Sequence, residues 1–354
     1  MKFNNSIHLL SSLTLAFLVL AVVVISSASA STVEVPKDVN KIGCLFGPSY
    51  EKVVILGAED KITMASDSHQ TLWPWSNIVY KDLNKIPVII KNAQTPNIED
   101  LVKNKPDVIF FWNTPETVQK IEDAGIPVVP APDTKKFEDV KTSLDSYAQV
   151  LGPDAKAISK DYADYFDKKL AYVKSNIGDI PSDQRPSVYF AIRKPLQTAG
   201  ANSDISEMIS LAGGKSVTDG LDAGFGTDIT VEQLLKWNPD YIIIDHCGAS
   251  NLGSKPADQT LQEMVNDTRF SDLSAMKNQH VYISPTGVFF WDAGQQQILQ
   301  LMWLAKLLHP DKFQDLNMNN EVKEFYSKFY HYELTDDQAD RILKLLPPVK
   351  SGGT

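Results

Sequence analysis

His246 and Cys247 stand side by side behind the apolar run Tyr241-Ile-Ile-Ile244, and imidazole and thiolate are both metal ligands. Direct ligation by His246 is the weaker reading, because a lone histidine is more often structural. A protein that grips bare Zn or Mn needs a cluster of His and carboxylates, and His69, His246, His280, His309 and His331 are scattered along the chain. The residues point instead to a metal that arrives already chelated, with no resident metal and no cofactor. Trp73, Trp112, Phe289, Phe290 and Trp291 would serve such a cargo, since large flat apolar surfaces suit a macrocycle or a catecholate or hydroxamate chelate. Core packing is the alternative for each of them, and the preferred reading for Trp237 and Trp303. Arg193 brings a planar fork of donors that matches a carboxylate or an oxyanion. An ordinary surface salt bridge competes with that role.

These side chains have to be presented by an α/β scaffold. The stretch Ile98–Phe111 overlays Val231–Ile244 without a gap, with Glu, Leu, Lys, Pro, Asp and Ile coinciding. Each copy reads as a short amphipathic helix stopped by Pro106 or Pro239, followed by an apolar run that suits a strand buried on both faces of a parallel sheet. Two α/β lobes of related design explain the repeat better than a solenoid, for which the spacing is too wide. Strands are expected near 41–46, 61–65, 86–90, 107–111 and 127–129, then near 187–192, 241–245 and 280–284. Segment 48–56 reads as strand or helix, Pro48 and Gly57 favouring helix. Further helices are expected near 203–212, 231–237, 259–266, 292–308, 319–330 and 335–346. Ligands of open α/β sheets meet the loops after the carboxyl ends of strands. That rule selects Phe46 and Ser49 at a helix start, where backbone N–H groups suit an anion. It also selects Trp112, Asn113, Arg193, Asn202, His246, and the loop Thr286–Asp292 that carries Phe289, Phe290 and Trp291.

Between the two copies, Ile158, Tyr162, Phe166, Leu170, Val173 and Ile177 recur at helical spacing from Gly152-Pro153 to Gly178. A helix of about 24 residues reaches roughly 36 Å, enough to bridge two lobes stiffly. The chain therefore divides into a signal peptide at 1–30, an N-terminal lobe at 31–150, a bridging helix at 151–180, and a C-terminal lobe with extra helices at 181–354. Lys2, the apolar stretch Leu13–Ile25 and Ala28-Ser29-Ala30 carry the signal-peptide reading, with cleavage after Ala30. An uncleaved anchor is the alternative, although the apolar run is shorter than the roughly 20 residues of a bilayer span. The body of the chain is expected outside the cytoplasm, periplasmic or at the cell surface. The net charge is −10, and losing Lys2 with no acid makes it −11, which argues against nucleic acid as a partner. Cys44 and Cys247 fall in different lobes and are expected as free, mostly buried thiols.

Val35-Pro36 with Lys41-Ile42, Leu56–Ile62, Lys105–Trp112, Ala124–Val129, Met208–Gly214, Val231–Asp240 and Trp303–Pro310 follow one another in a telling order. In that order the chain resembles the bilobal binding proteins of iron-siderophore and cobalamin ABC importers, departing from any one cargo group at Ser66–Pro87. The resemblance implies two Rossmann-like α/β lobes joined by one long helix, a ligand cleft between them, slight closure, and a monomer. It implies a permease and its ATPase as partners, and a ferric siderophore, a corrinoid or haem as cargo. It places an aromatic in the cleft at Trp112. It also puts one acidic residue on each lobe against the permease, Glu116 and, more loosely, Glu263. Molybdate or another small oxyanion is the alternative cargo and would lean on helix N-termini, Arg193 and Asn202. A surface scavenger or sensor is a second alternative. An enzyme is disfavoured by the lack of a Gly-x-Ser-x-Gly elbow, a His-Glu-x-x-His pair, a P-loop or a complete dinucleotide fingerprint.

Overall fold

A computed structural model describes residues 34–67, 73–90, 95–132, 134–178, 180–245, 257–292 and 294–349. The leader expected at 1–30, together with His69, His246 and Cys247, lies outside the described residues. The first half runs β1 (Ile42–Cys44), α1 (Gly47–Ile55), β2 (Ile62–Ser66), α2 (Ser76–Val79), β3 (Val88–Ile90), α3 (Ile98–Asn104), β4 (Val108–Phe111), α4 (Pro115–Asp123), β5 (Val128–Pro130) and α5 (Asp139–Leu151). Its strands form one parallel sheet in the order β3-β2-β1-β4-β5. Helix α6 (Pro153–Ile177) leads to β6 (Ser187–Ala191), β7 (Gln197–Ala199), α7 (Asp204–Leu211), β8 (Lys215–Ser216) and β9 (Phe225–Asp228). There follow α8 (Val231–Trp237), β10 (Tyr241–Ile244), α9 (Ala257–Asn266), α10 (Ser274–Lys277) and β11 (Val281–Ile283). The second parallel sheet has the order β11-β10-β6-β8, and β7 pairs with β9 as a separate antiparallel ribbon. Helices α11 (Gln297–Leu308), α12 (Met318–Tyr330) and α13 (Asp336–Leu343) close the described chain.

The two parallel sheets joined by a long helix are the expected fold class, and segment 48–56 resolves into helix α1. Strands β7, β8 and β9 were not expected. Phe225–Asp228 reads Phe-Gly-Thr-Asp, without the apolar alternation that marks a strand, and its partner Gln197–Ala199 is distant in sequence.

The internal repeat has a mechanical reason. Both α3 and α8 end on a non-glycine residue in the left-handed region, Lys105 at φ 48° and Asn238 at φ 45°, and proline follows. The next residue of each copy is aspartate. Asp107 Oδ2 accepts the backbone N–H groups of Asn40 and Lys41 at 2.8 and 2.9 Å. Asp240 Oδ2 accepts the N–H and the hydroxyl of Ser187 at 2.8 and 2.7 Å. The Pro-Asp pair thus anchors β4 to the entry of β1, and β10 to the entry of β6.

Both sheets feed one continuous apolar core. Cys44, Val108 and Phe110 from the first sheet, Val188, Phe190 and Ile243 from the second, and Tyr162, Phe166, Leu170 and Val173 from α6 all belong to it. Cys44 is a free thiol whose pKa is pushed up by burial. The C-terminal helices join that core instead of extending the second sheet. Tyr162 and Tyr165 pack edge-to-face on Phe325 and Phe329 of α12, and Lys169 pairs with Glu321 and Glu324. No helix among the described residues is long and apolar enough to cross a membrane.

The two left-handed caps should respond differently to glycine. Lys105→Gly relieves backbone strain at an exposed position and is expected to stabilise by about 0.5–1 kcal/mol in urea unfolding. Asn238→Gly should bring no such gain, because Asn238 Oδ1 accepts the N–H of Ser274 at 2.8 Å and that bond is lost.

Candidate functional site

In each sheet the strand order reverses beside the first strand, between β1 and β4 and between β6 and β10. The loops leaving β1, β4 and β5 on one side, and the segment after β7 with Phe225 at the start of β9 on the other, border a cavity of about 860 Å³ between the lobes. From the first lobe come Phe46 after β1, then Trp112 and Asn113 after β4, and Thr134 and Lys135 after β5. From the second come Asn202, Ser203, Asp204 and Phe225.

Trp112 and Phe225 are 38% and 49% exposed, unusual for such side chains, so each lobe offers the cavity an aromatic face. Phe46 backs Trp112 edge-on, with ring centroids 4.0 Å apart and planes at 61°. The N-cap residues of three helices line the same space: Phe46 for α1, Thr114 for α4 and Ser203 for α7. Their positive ends favour an anion there. Helix α7 is partly self-neutralised, since Asp204 Oδ1 accepts the N–H of Ile205 at 3.0 Å and Ser203 caps Ser206 at 3.3 Å. Asn202 is held by a ladder to the 221–224 segment, through Gly200 N–H to Gly224 O, Ala201 N–H to Leu221 O and Asn202 N–H to Ala223 O. Only glycine fits at 200, where a Cβ would lie 2.4 Å from the Ala223 carbonyl oxygen.

Behind the second-lobe wall the side chains are polar and buried. Gln297 Nε2 donates to Asp204 Oδ2 at 2.9 Å and to the carbonyl of Asp292 at 3.0 Å. Burial, and then the neighbouring Asp245, hold the Asp292 carboxyl well above its ordinary range. Burial likewise raises Asp204, against the bonds from Gln297 and Ile205. Arg193 follows β6 with φ 61° and donates its N–H to Asp245 Oδ1 at 2.9 Å. Its guanidinium lies 5.3 Å from the centroid of Phe225, and its buried Nε has no hydrogen-bond partner among the described residues.

Residues 42–286 match the family model described as periplasmic binding protein. The chain belongs to that family. It is 26% identical to the molybdate-binding protein MolA of Haemophilus influenzae, over 93% of this chain and 96% of that one. The MolA structure with molybdate bound superposes with a TM-score of 0.72 at 23% identity, over 86% of this chain and 96% of that one. A periplasmic solute binding protein of Veillonella parvula superposes with a TM-score of 0.73 at 28% identity, over 88% of this chain and 94% of that one. An iron-uptake system-binding protein of Bacillus subtilis is 26% identical over 58% of this chain and 63% of its own length.

In this periplasmic binding protein four of the residues selected from sequence meet at the cavity: Phe46, Trp112, Asn113 and Asn202. Arg193 stands one layer behind, against Phe225. Five others go elsewhere. Trp291 is fully buried in the shared core, its Nε1 donating to Gln296 Oε1 at 3.0 Å, so it has no face for a ligand. Ser49 is also fully buried and donates its hydroxyl to the Phe46 carbonyl, closing the start of α1. Trp73 is buried against Phe289 and Phe290, at 5.5 and 5.4 Å between centroids, and this trio does not line the cavity. The cause is a tight turn, Thr286 bridging to Phe290, that sends the consecutive aromatics to different neighbours. Trp237 and Trp303 are partly buried at core edges. Glu116 is exposed in the first turn of α4 and paired with Lys120 at 2.8 Å. Glu263 lies in a separate groove of about 460 Å³ with Lys194, Arg269 and Phe270.

Sequence reading missed Phe225, Asp204 and Lys135. Only Phe225 carried a signal, its flanking Gly224 and Gly226. The raised Asp292 gives a directional test. Its unfolded carboxyl ionises near 3.8 while the folded one resists, so stability falls as pH rises above that value. Asp292→Asn should therefore raise Tm by a few degrees at pH 7, about 2–4 °C per kcal/mol relieved. The gain should vanish below about pH 4, where aspartate is protonated in both states.

Proposed function

We propose that this protein is the extracytoplasmic cargo-binding component of an ABC importer and that its cleft takes a metal chelate with a conjugated face and anionic groups. A ferric siderophore, a corrinoid or haem has that character. The observation that carries the reading is the opposition of exposed aromatic faces, Trp112 from one lobe and Phe225 from the other, on one cavity of about 860 Å³. That volume lies in the range of about 300–1,000 Å³ typical of sites for sizeable organic ligands. The Bacillus iron-uptake relative supports it by its name. The second reading is molybdate, favoured by the match to MolA along 93% of the chain and by the helix N-termini and Lys135 at the cavity.

The reading carries the rest of the organisation with it: export by a signal peptide at 1–30, lobes at 31–150 and 181–354 about a bridge at 151–180, and a monomer that delivers cargo to a permease and its ATPase. Relatives named as binding proteins support transport over catalysis. Glu116, exposed in the first turn of α4, is the docking residue of the first lobe, and Glu263 that of the second.

Calorimetric titration of residues 31–354 with ferric siderophores, cobalamin, haemin, molybdate and free divalent metals should give saturable binding of one chelate class. Trp112→Ala and Phe225→Ala should each weaken it at least about tenfold, or 1.4 kcal/mol. Binding of molybdate alone, unaffected by both substitutions, would replace the chelate reading with the oxyanion one. Charge reversal at Glu116 and Glu263 together should abolish uptake by cells while leaving cargo affinity unchanged.

A further inference from the structure

Two glutamates on corresponding helices reach across the lobe boundary in opposite directions. Glu51 sits on α1, the helix that follows the first strand of the first sheet, about one turn beyond the cavity residue Phe46. It is fully buried, and its carboxylate accepts the Tyr330 hydroxyl at 2.5 Å, the Gln295 N–H at 3.2 Å and the Gln296 side-chain amide at 3.3 Å. All three donors belong to the second half of the chain. Gly294 lets them close in, because a Cβ there would stand 2.8 Å from Glu51 Oε2. Glu207 sits on α7, the first helix after β6, one turn beyond the cavity residue Asp204. Its Oε2 accepts the N–H of Phe137 at 2.8 Å, and Phe137 ends the segment whose Thr134 and Lys135 line the cavity. Each lobe therefore holds the other next to its own cavity wall.

Apolar packing between lobes is tolerant of sliding, whereas a carboxylate with fixed donors, fully buried at Glu51 and half-buried at Glu207, is directional and loses its partners on displacement. We propose that Glu51 and Glu207 are positioning residues that set the separation and tilt of the two cleft walls, so that the cleft is formed before its cargo arrives. The link to cargo rests on reading the cavity as the cargo site, but the clasp itself can be measured without any ligand.

Val102 and Leu235, exposed and at matching places in the repeat, are suited to nitroxide labels through Val102→Cys and Leu235→Cys in a Cys247→Ser background, Cys44 being buried. Pulsed electron spin measurements on the otherwise native protein should give one narrow distance. Glu207→Ala should at least double the width of the distribution, Glu207→Gln should largely restore it, and Glu51→Gln should shift it. If Glu51→Gln does not fold, the Glu207 pair carries the test. Distributions matching the native one in Glu207→Ala would overturn the proposal. The same variants are then titrated with ferric tris-catecholate as probe. At least tenfold weaker binding in Glu207→Ala is expected. A broadened distance with unchanged probe affinity would leave the clasp standing and remove the cavity as the cargo site.

Discussion

Helix α6 buries nine of its 25 residues, and its length of about 38 Å is continuous with a core that both sheets share. A bridging element packed in this way cannot act as a free hinge, because bending it would open apolar surface on two sides at once. This constraint keeps the lobes from swinging freely about the helix. Once it holds, the loops after β1, β4 and β5 meet the segment after β7 and the start of β9 around a common space. Parallel sheets need helices on both faces; on the shared-core side of the first sheet α1 packs on β1 and β2, and Tyr147 of α5 stacks on Phe110 with ring centroids 4.0 Å apart.

The cavity combines two chemistries that seldom share a surface. Trp112 and Phe225 stay exposed at 38% and 49%, a standing hydrophobic cost that a flat apolar cargo would relieve. Three helix N-termini add positive potential, while Asp204 cancels part of it on one side. The first lobe is therefore the more anion-favouring wall. The second presents a hydrogen-bonding edge at Asn202 and Ser203, with Arg193 held behind Phe225.

Several buried polar groups accompany this arrangement. Burial raises the Glu51 carboxyl and lowers the neighbouring Lys52, whose ammonium lies 5.2 Å from the ring centroid of Tyr147. Buried polar groups are poor sources of stability, but they penalise alternative packings that leave them unpaired. Here they sit where geometry matters most, beside the cavity walls and across the lobe boundary.

Local rules acting within a few residues were fully written in the sequence. The α3-β4 and α8-β10 repeat followed from Pro106, Pro239 and apolar runs, α6 from its helical spacing, and the position of Trp112 at the cavity from its place after a buried strand. The cavity's second wall was legible only at Asn202. Phe225 lies on a four-residue strand whose partner is Gln197–Ala199, and neither shows periodicity alone. Trp291 looked like a ligand face because Phe-Phe-Trp cannot all enter one core. A tight turn let Trp291 enter the shared core while Phe289 and Phe290 packed on Trp73. Which side chains face a cleft depends on how two sheets are set against each other, and that is decided by contacts such as Glu51 to Tyr330, hundreds of residues apart in the chain. No local pattern encodes such a contact, because its free energy arises only when distant segments are already in place.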